Sequence, residues 1–216
     1  DTMSRKGALR KTLGDFKAVK LDILVGTQMI AKGLHFPNVT LVGILNADIG
    51  LHIPDFRSGE RTFQLLTQVA GRAGRGEMEG EVLIQTFTPH SPSVQFARHH
   101  DYEGFSDQEL EFRKSFSYPP FSHCIILTCR SKNSSLAEFT LQTLHKRLQK
   151  NLPDYILLGE PLPSPLSKAA GQFRFQLMLR SESPRSMSQY IKSIIVDLAI
   201  PDEVYLAIDV DPLYLS

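Results

Sequence analysis

Val39-Thr-Leu-Val-Gly-Ile-Leu45 is an almost wholly apolar run, the pattern of a strand covered on both faces of a parallel sheet rather than one that meets water on one side. Parallel strands need a crossover between them, usually a helix, and the surrounding residues alternate accordingly. Ile23-Leu-Val-Gly26 reads as a preceding strand, and Thr27–Asn38 as a loop that carries Lys32-Gly33 and Pro37. After a loop through Pro54, residues 58–73 read as a helix with Phe63, Leu65, Leu66, Val69 and Ala70 inside. Gly80-Glu-Val-Leu-Ile-Gln-Thr-Phe87 is a further strand, closed by Pro89. Ahead of all these, Leu9, Leu13 and Phe16 fall at helical spacing in a basic stretch that starts at Ser4. The expectation for residues 1–90 is an α/β lobe with parallel strands.

Residues 91–118 read as a polar, helical connector ended by Tyr118-Pro-Pro. The remaining order is strand (121–130), helix (134–150), strand (155–159), Pro-rich turn (161–165), strand (172–181), helix (184–199), strand (204–210). That is βαββαβ, a ferredoxin-like unit, and it predicts a separate α+β domain over 119–216. In its second long strand Phe173, Phe175, Leu177 and Leu179 share one face, with Arg174 and Gln176 opposite. Two domains suit 216 residues with 42% hydrophobic and 22% charged side chains. The net charge of +1 argues against a strongly basic nucleic-acid tail and against an acidic disordered chain, while leaving local patches open. Cys124 and Cys129 point to opposite faces of one strand, so they neither pair nor form a zinc site by themselves. No apolar run nears the ~20 residues of a membrane span, no signal peptide opens the chain, and a cytoplasmic location is expected. Asp1-Thr-Met-Ser lacks an initiator methionine at position 1, and the chain is expected to be a piece of something longer.

Two strings carry chemistry. In Gln68-Val-Ala-Gly-Arg-Ala-Gly-Arg75, Arg72 and Arg75 share a helical face, and Gly71, Ala73 and Gly74 let a phosphate or a backbone approach. Two guanidinium groups presented together suit the spread charge of a phosphoryl-transfer transition state. Ion pairs with Glu77 and Glu79 are the bland alternative, which the specificity of the whole string disfavours. Gly26-Thr-Gln-Met-Ile-Ala-Lys-Gly33 follows a strand, where open α/β sheets bind ligands. There Thr27 and Gln28 offer polar groups to a phosphate backbone, Lys32 adds charge, and Gly33 permits close approach. In the second half Lys168, Arg174 and Arg180 could form a modest basic edge near aromatics able to stack bases. His99-His100 and the Asp209/Asp211 pair have no third ligand spaced to join them, and no metal site is expected.

The two strings resemble motifs V and VI of superfamily 2 helicases, which lie on the second of two RecA-like lobes. GTQMIAKGLHFPNVTLV (26–42) and PDFRSGERTFQLLTQVAGRAGR (54–75) are similar to the PriA family of bacterial replication-restart helicases. Tyr118-Pro-Pro-Phe, Gly171-Gln-Phe-Arg-Phe-Gln and Ile208-Asp-Val-Asp-Pro fit that family's C-terminal domain. The resemblance implies ATP-driven 3′→5′ unwinding of forked or single-stranded DNA and loading of the replicative helicase with primosome proteins. It implies that Arg72 and Arg75 face the γ-phosphate of ATP, with Mg, held on the first lobe, and that Gln68 lines the same cleft. Gly33, His35 and Gly71 fall on the nucleotide side; His35 stands where many relatives carry an Asp that contacts the ribose. Gly26, Thr27, Gln28 and Lys32 would couple the cleft to the tracked strand, and Asp48 and Arg57 would fix loops. Lys168 and Arg174 become candidates for binding DNA or the acidic tail of single-strand-binding protein. No Gly-x-x-x-x-Gly-Lys-Ser/Thr loop, Asp-Glu-x-His motif or cysteine-rich zinc insert stands in this sequence, so by itself the chain is expected to hold half of an ATP site and no activity. Another superfamily 2 motor, RecG-like, and a non-catalytic scaffold binding DNA or primosome proteins are the competing readings.

Overall fold

A computed structural model describes residues 7–27, 38–71, 73 and 80–215. They divide into two compact units, one of residues up to Leu51 with Glu60–Tyr102, the other of His52–Gly59 with Glu103 onward.

In the first unit, helix α1 (Ala8–Lys17) uses the spacing of Leu9, Leu13 and Phe16. Strand β1 (Leu41–Ile44) is followed by a single turn, α2 (Asp48–Leu51), by helix α3 (Ser58–Ala70), and by strand β2 (Glu81–Ile84). β1 and β2 pair in parallel, Leu41 opposite Glu81 through Ile44 opposite Ile84, so the helical passage between them is the crossover that parallel pairing requires. α3 buries Thr62, Phe63 and Leu66, one stripe at helical spacing. Two expectations fail here. Residues 23–26 form no strand, and Ile23 and Val25 are each 79% exposed. The sheet is also not covered twice: burial alternates along both strands, with Leu41 55% and Leu83 54% exposed. The reason is common to both. A strand needs a ladder partner and a buried one needs a layer on each face, whereas the described residues of this unit pair only two parallel strands.

The connector resolves into helices α4 (Pro92–Arg98) and α5 (Tyr102–Ser115). The second unit then continues with β3 (His123–Ser131), α6 (Ser134–Lys150), β4 (Leu157–Leu158), β5 (Leu162–Ala169), β6 (Gln172–Ser181), α7 (Pro184–Ile195) and β7 (Tyr205–Val210). The sheet is antiparallel in the order β4-β6-β3-β7, with β5 also on β6; without β5 this is the expected ferredoxin-like arrangement. α6 starts where the Asn133 side chain accepts from Leu136 N–H, and α7 where Ser183 accepts from Ser186 N–H with Pro184 in the first turn. Such caps contribute about 1 kcal/mol each. Both helices cover one sheet face. Ala137, Leu141, Leu144 and Leu148 of α6 and Met187 and Ile191 of α7 meet Ile125, Leu127, Cys129, Leu177 and Leu179. Cys129 belongs to this core and Cys124 does not, as their odd spacing requires.

The Pro-rich stretch expected as a turn is instead the start of β5. It runs antiparallel to β6 with Leu162 opposite Gln176 and Pro163 opposite Phe175, and the register shifts before Lys168 pairs with Phe173. Proline cannot donate to a ladder, but an edge strand has one side on which no donor is wanted. The tight connection from β5 to β6 places both Ala170 (φ 49°) and Gly171 (φ 75°) in the left-handed region, the backbone of a two-residue type I′ hairpin turn.

Candidate functional site

The C-terminal ends of β1 and β2 lie side by side, and the backbone ladder continues past both as Gln85 N–H to Ile44 O and Ala47 N–H to Gln85 O. The next turns are tied by one carboxylate. Asp48, buried at the start of α2, accepts from the Thr86 hydroxyl at 2.8 Å, Phe87 N–H at 2.9 Å and Thr88 N–H at 3.2 Å, and from the Thr88 hydroxyl. These bonds, the Thr88 hydroxyl foremost, hold its pKa down at about 2 despite burial. A carboxylate so occupied is a permanent anion that fixes the loop after β2, the loop-fixing part expected of it. Two residues on, α2 sits so close to α3 that a Cβ on Gly50 would lie 2.5 Å from Thr62 Oγ1.

α3 presents Gln68 on its exposed side, and Gly71 N–H closes the last turn on Thr67 O at 3.0 Å. Gly26 and Thr27 lie in exposed loop. Gln28, Lys32, Gly33, His35, Arg72 and Arg75 lie outside the described residues.

The second unit carries the other candidates, and it does not bring them together. Lys168 Nζ lies over the Phe173 ring at 4.5 Å, and the register places Lys168 on the sheet face of Phe173, away from Arg174. Arg180 lies six positions along β6 from Arg174, a span of about 20 Å, and is engaged by the Tyr118 ring (4.5 Å) and by Phe116 O. Around it is a cluster that the sequence did not announce. Phe56 stacks on Tyr118 with centroids 5.0 Å apart, and Arg57 and Arg113 lie over Phe56 at 4.1 and 5.2 Å. Arg57 also pairs loosely with the buried Asp55, at 3.9 Å, the loop-fixing part expected of Arg57. The segment His52–Gly59 is thereby fastened to a domain that begins some fifty residues later. Arg174 has a different neighbour, Arg130 of β3, directly opposite it.

Both thiols are inert by burial. Cys124 is pushed up to about 11, with Asp211 adding to the effect, and Cys129 to about 12. Among the described residues no three His, Cys, Asp or Glu side chains gather as a metal site, and no helix is long and apolar enough to cross a membrane.

Comparison with known proteins finds two family matches along the chain. Residues 4–77 match the helicase conserved C-terminal domain, and residues 114–213 match the primosomal protein N C-terminal domain. The replication restart protein PriA of Bacillus subtilis is 45% identical over 216 residues, which cover 98% of this chain and 27% of that protein. Those of Synechocystis and Haemophilus influenzae are 43% and 41% identical, over all of this chain and 26% and 30% of theirs. The chain thus spans between a quarter and a third of the length of these relatives. It carries a match to a helicase C-terminal domain followed by one to a primosomal C-terminal domain, and along its whole length it is similar to the C-terminal part of PriA replication restart proteins, with identity above 40% to these three.

Proposed function

We propose that the chain supplies the second motor lobe and the C-terminal domain of an ATP-dependent 3′→5′ DNA helicase that acts in replication restart, with DNA, single-strand-binding protein and other primosome proteins as its partners. The observation that carries this reading is the string Gln68–Arg75 at the end of α3, inside the segment that matches a helicase C-terminal domain. α3 runs to Ala70 and Gly71 N–H closes its last turn on Thr67 O at 3.0 Å, so the string starts on the helix itself. On this reading Arg72 and Arg75 stabilise charge that develops on the transferred phosphoryl group, Gln68 lines the cleft, and Thr27, Gln28 and Lys32 contact the tracked strand. ATP with its Mg would be held mainly by the first lobe, whose phosphate loop does not stand in this sequence. A scaffold that kept the lobe only as a fold would need neither arginine.

The test is in the full-length protein. Arg75→Ala should lower DNA-stimulated ATP turnover by roughly 10³-fold while changing the Kd for ATP far less, because an arginine finger acts on the transition state. Arg72→Ala should behave in the same way. Near wild-type turnover by either folded variant overturns the assignment. The 216-residue chain alone should show no DNA-stimulated ATPase above buffer.

A further inference from the structure

The face of the second unit's sheet opposite α6 and α7 has two ends. At one, Cys124 and Ile126 are fully buried, and Asp55, Arg57 and Arg180 all bear electrostatically on the Cys124 thiol. At the other, the register lines up Arg174 of β6, Arg130 of β3 and Tyr205 of β7 as direct neighbours across three strands. Like charges directly opposite each other destabilise a sheet, and neither arginine forms an ion pair among the described residues. The Nε atoms of both are buried without a hydrogen-bond partner. The one carboxylate on this face of β7, Asp209, is four positions from Tyr205, about 13 Å along the strand. The Arg130 guanidinium lies 4.3 Å from the Tyr205 ring centre, and the ring is still 57% exposed. Two unneutralised guanidinium groups beside an exposed aromatic ring are the parts of a site for an anion joined to a flat group.

We infer that Arg130, Arg174 and Tyr205 form a binding site for single-stranded DNA, the two arginines on the phosphate backbone and the tyrosine ring under a base. The exposed ring favours a nucleic acid over a peptide carboxylate, which has no use for it. This deepens the reading of the chain as a DNA-handling protein and rests on it. Binding measured without nucleotide separates the two, since failure of the motor assignment would leave a DNA-binding result standing.

The test titrates the 216-residue chain with fluorescein-labelled oligo-dT at several salt concentrations. Arg130→Gln and Arg174→Gln should each raise Kd about 5- to 10-fold at low salt and make the slope of log K against log salt shallower by about 0.7, one single-strand phosphate contact. Tyr205→Leu should raise Kd about tenfold with the slope unchanged, the signature of lost stacking. The thermal midpoints of the arginine variants should hold or rise, since each relieves a like-charge pair. Arg180→Gln should leave the salt slope as it is. If affinity and slope are unchanged in the folded Arg130 and Arg174 variants, the site is not there. If an acidic peptide binds through both arginines and oligo-dT does not, the DNA assignment is overturned.

Discussion

Asp48 holds its place by what it accepts, and it accepts from donors in Thr86–Thr88, some forty positions later in the chain. Its ordinary pKa of 3.8 falls to about 2 in the folded protein, chiefly through the Thr88 hydroxyl. The sign follows from linkage: a depressed carboxylate stabilises the fold above its unfolded pKa and loses that stabilisation as pH falls through its folded one. The first unit should therefore weaken between about pH 4 and pH 2. Asp48→Asn should lower the thermal midpoint at pH 7 by about 5 °C, since the amide cannot accept from all of these donors. The gap between wild type and variant should close as the pH approaches 2, which circular dichroism melts at a series of pH values will show. A constant gap would mean that Asp48 acts by shape rather than by charge.

Among the elements, the hairpin β5–β6 has one residue at odds with its backbone. Both central positions of a type I′ turn need positive φ, and Ala170 adopts 49° against the preference of a side chain with a Cβ. Asn-Gly is the favoured pair for this turn. Ala170→Asn should stabilise the domain by about 0.5–1 kcal/mol, and Gly171→Val should destabilise it by more than that. Urea titration decides both, and a destabilising Ala170→Asn would mean that the turn is of another type. The prolines of this stretch hid β5 from the sequence, because composition alone does not tell an edge strand from a loop. The alternating pattern of β6 was readable: Leu177 and Leu179 are in the core, and Phe175 packs against it.

At the scale of the molecule, the second unit is completed by a segment that precedes the rest of it by some fifty residues. Phe56 and Arg57 of His52–Gly59 join Tyr118, Arg113 and Arg180, whereas the helix-covered core runs only from Ile125 to Val204. Residues 103–216 should then fold alone, since every residue of that core lies within them. They should lose protection at Cys124, which lies on the other face, within electrostatic reach of Asp55 and Arg57. In the full chain both thiols should resist a thiol reagent such as DTNB at pH 8. In the 103–216 polypeptide Cys124 should react at least about tenfold faster while Cys129 stays closed, as expected when burial alone keeps a thiol protonated. Equal protection in both would show that the segment is not needed to cover that face.

Short-range pattern was enough to establish the long helices, the crossover between β1 and β2, the βαββαβ order and the faces of β6. Each of these depends on residues within a turn or two of each other, where spacing maps directly onto direction. The strings at Gly26–Gly33 and Gln68–Arg75 were legible for the same reason, being contiguous. Tertiary structure decided the rest. Residues 23–26 read as a strand but have no ladder to join among the described residues, and 161–165 read as a turn but begin a strand that has one. Lys168, Arg174 and Arg180 looked like one edge in sequence; pairing sends Lys168 to the other face and Arg180 to Tyr118, and gives Arg174 the partner Arg130. A strand's hydrogen-bonding needs and a side chain's neighbours across a sheet are set by residues distant in the chain, so no local pattern contains them.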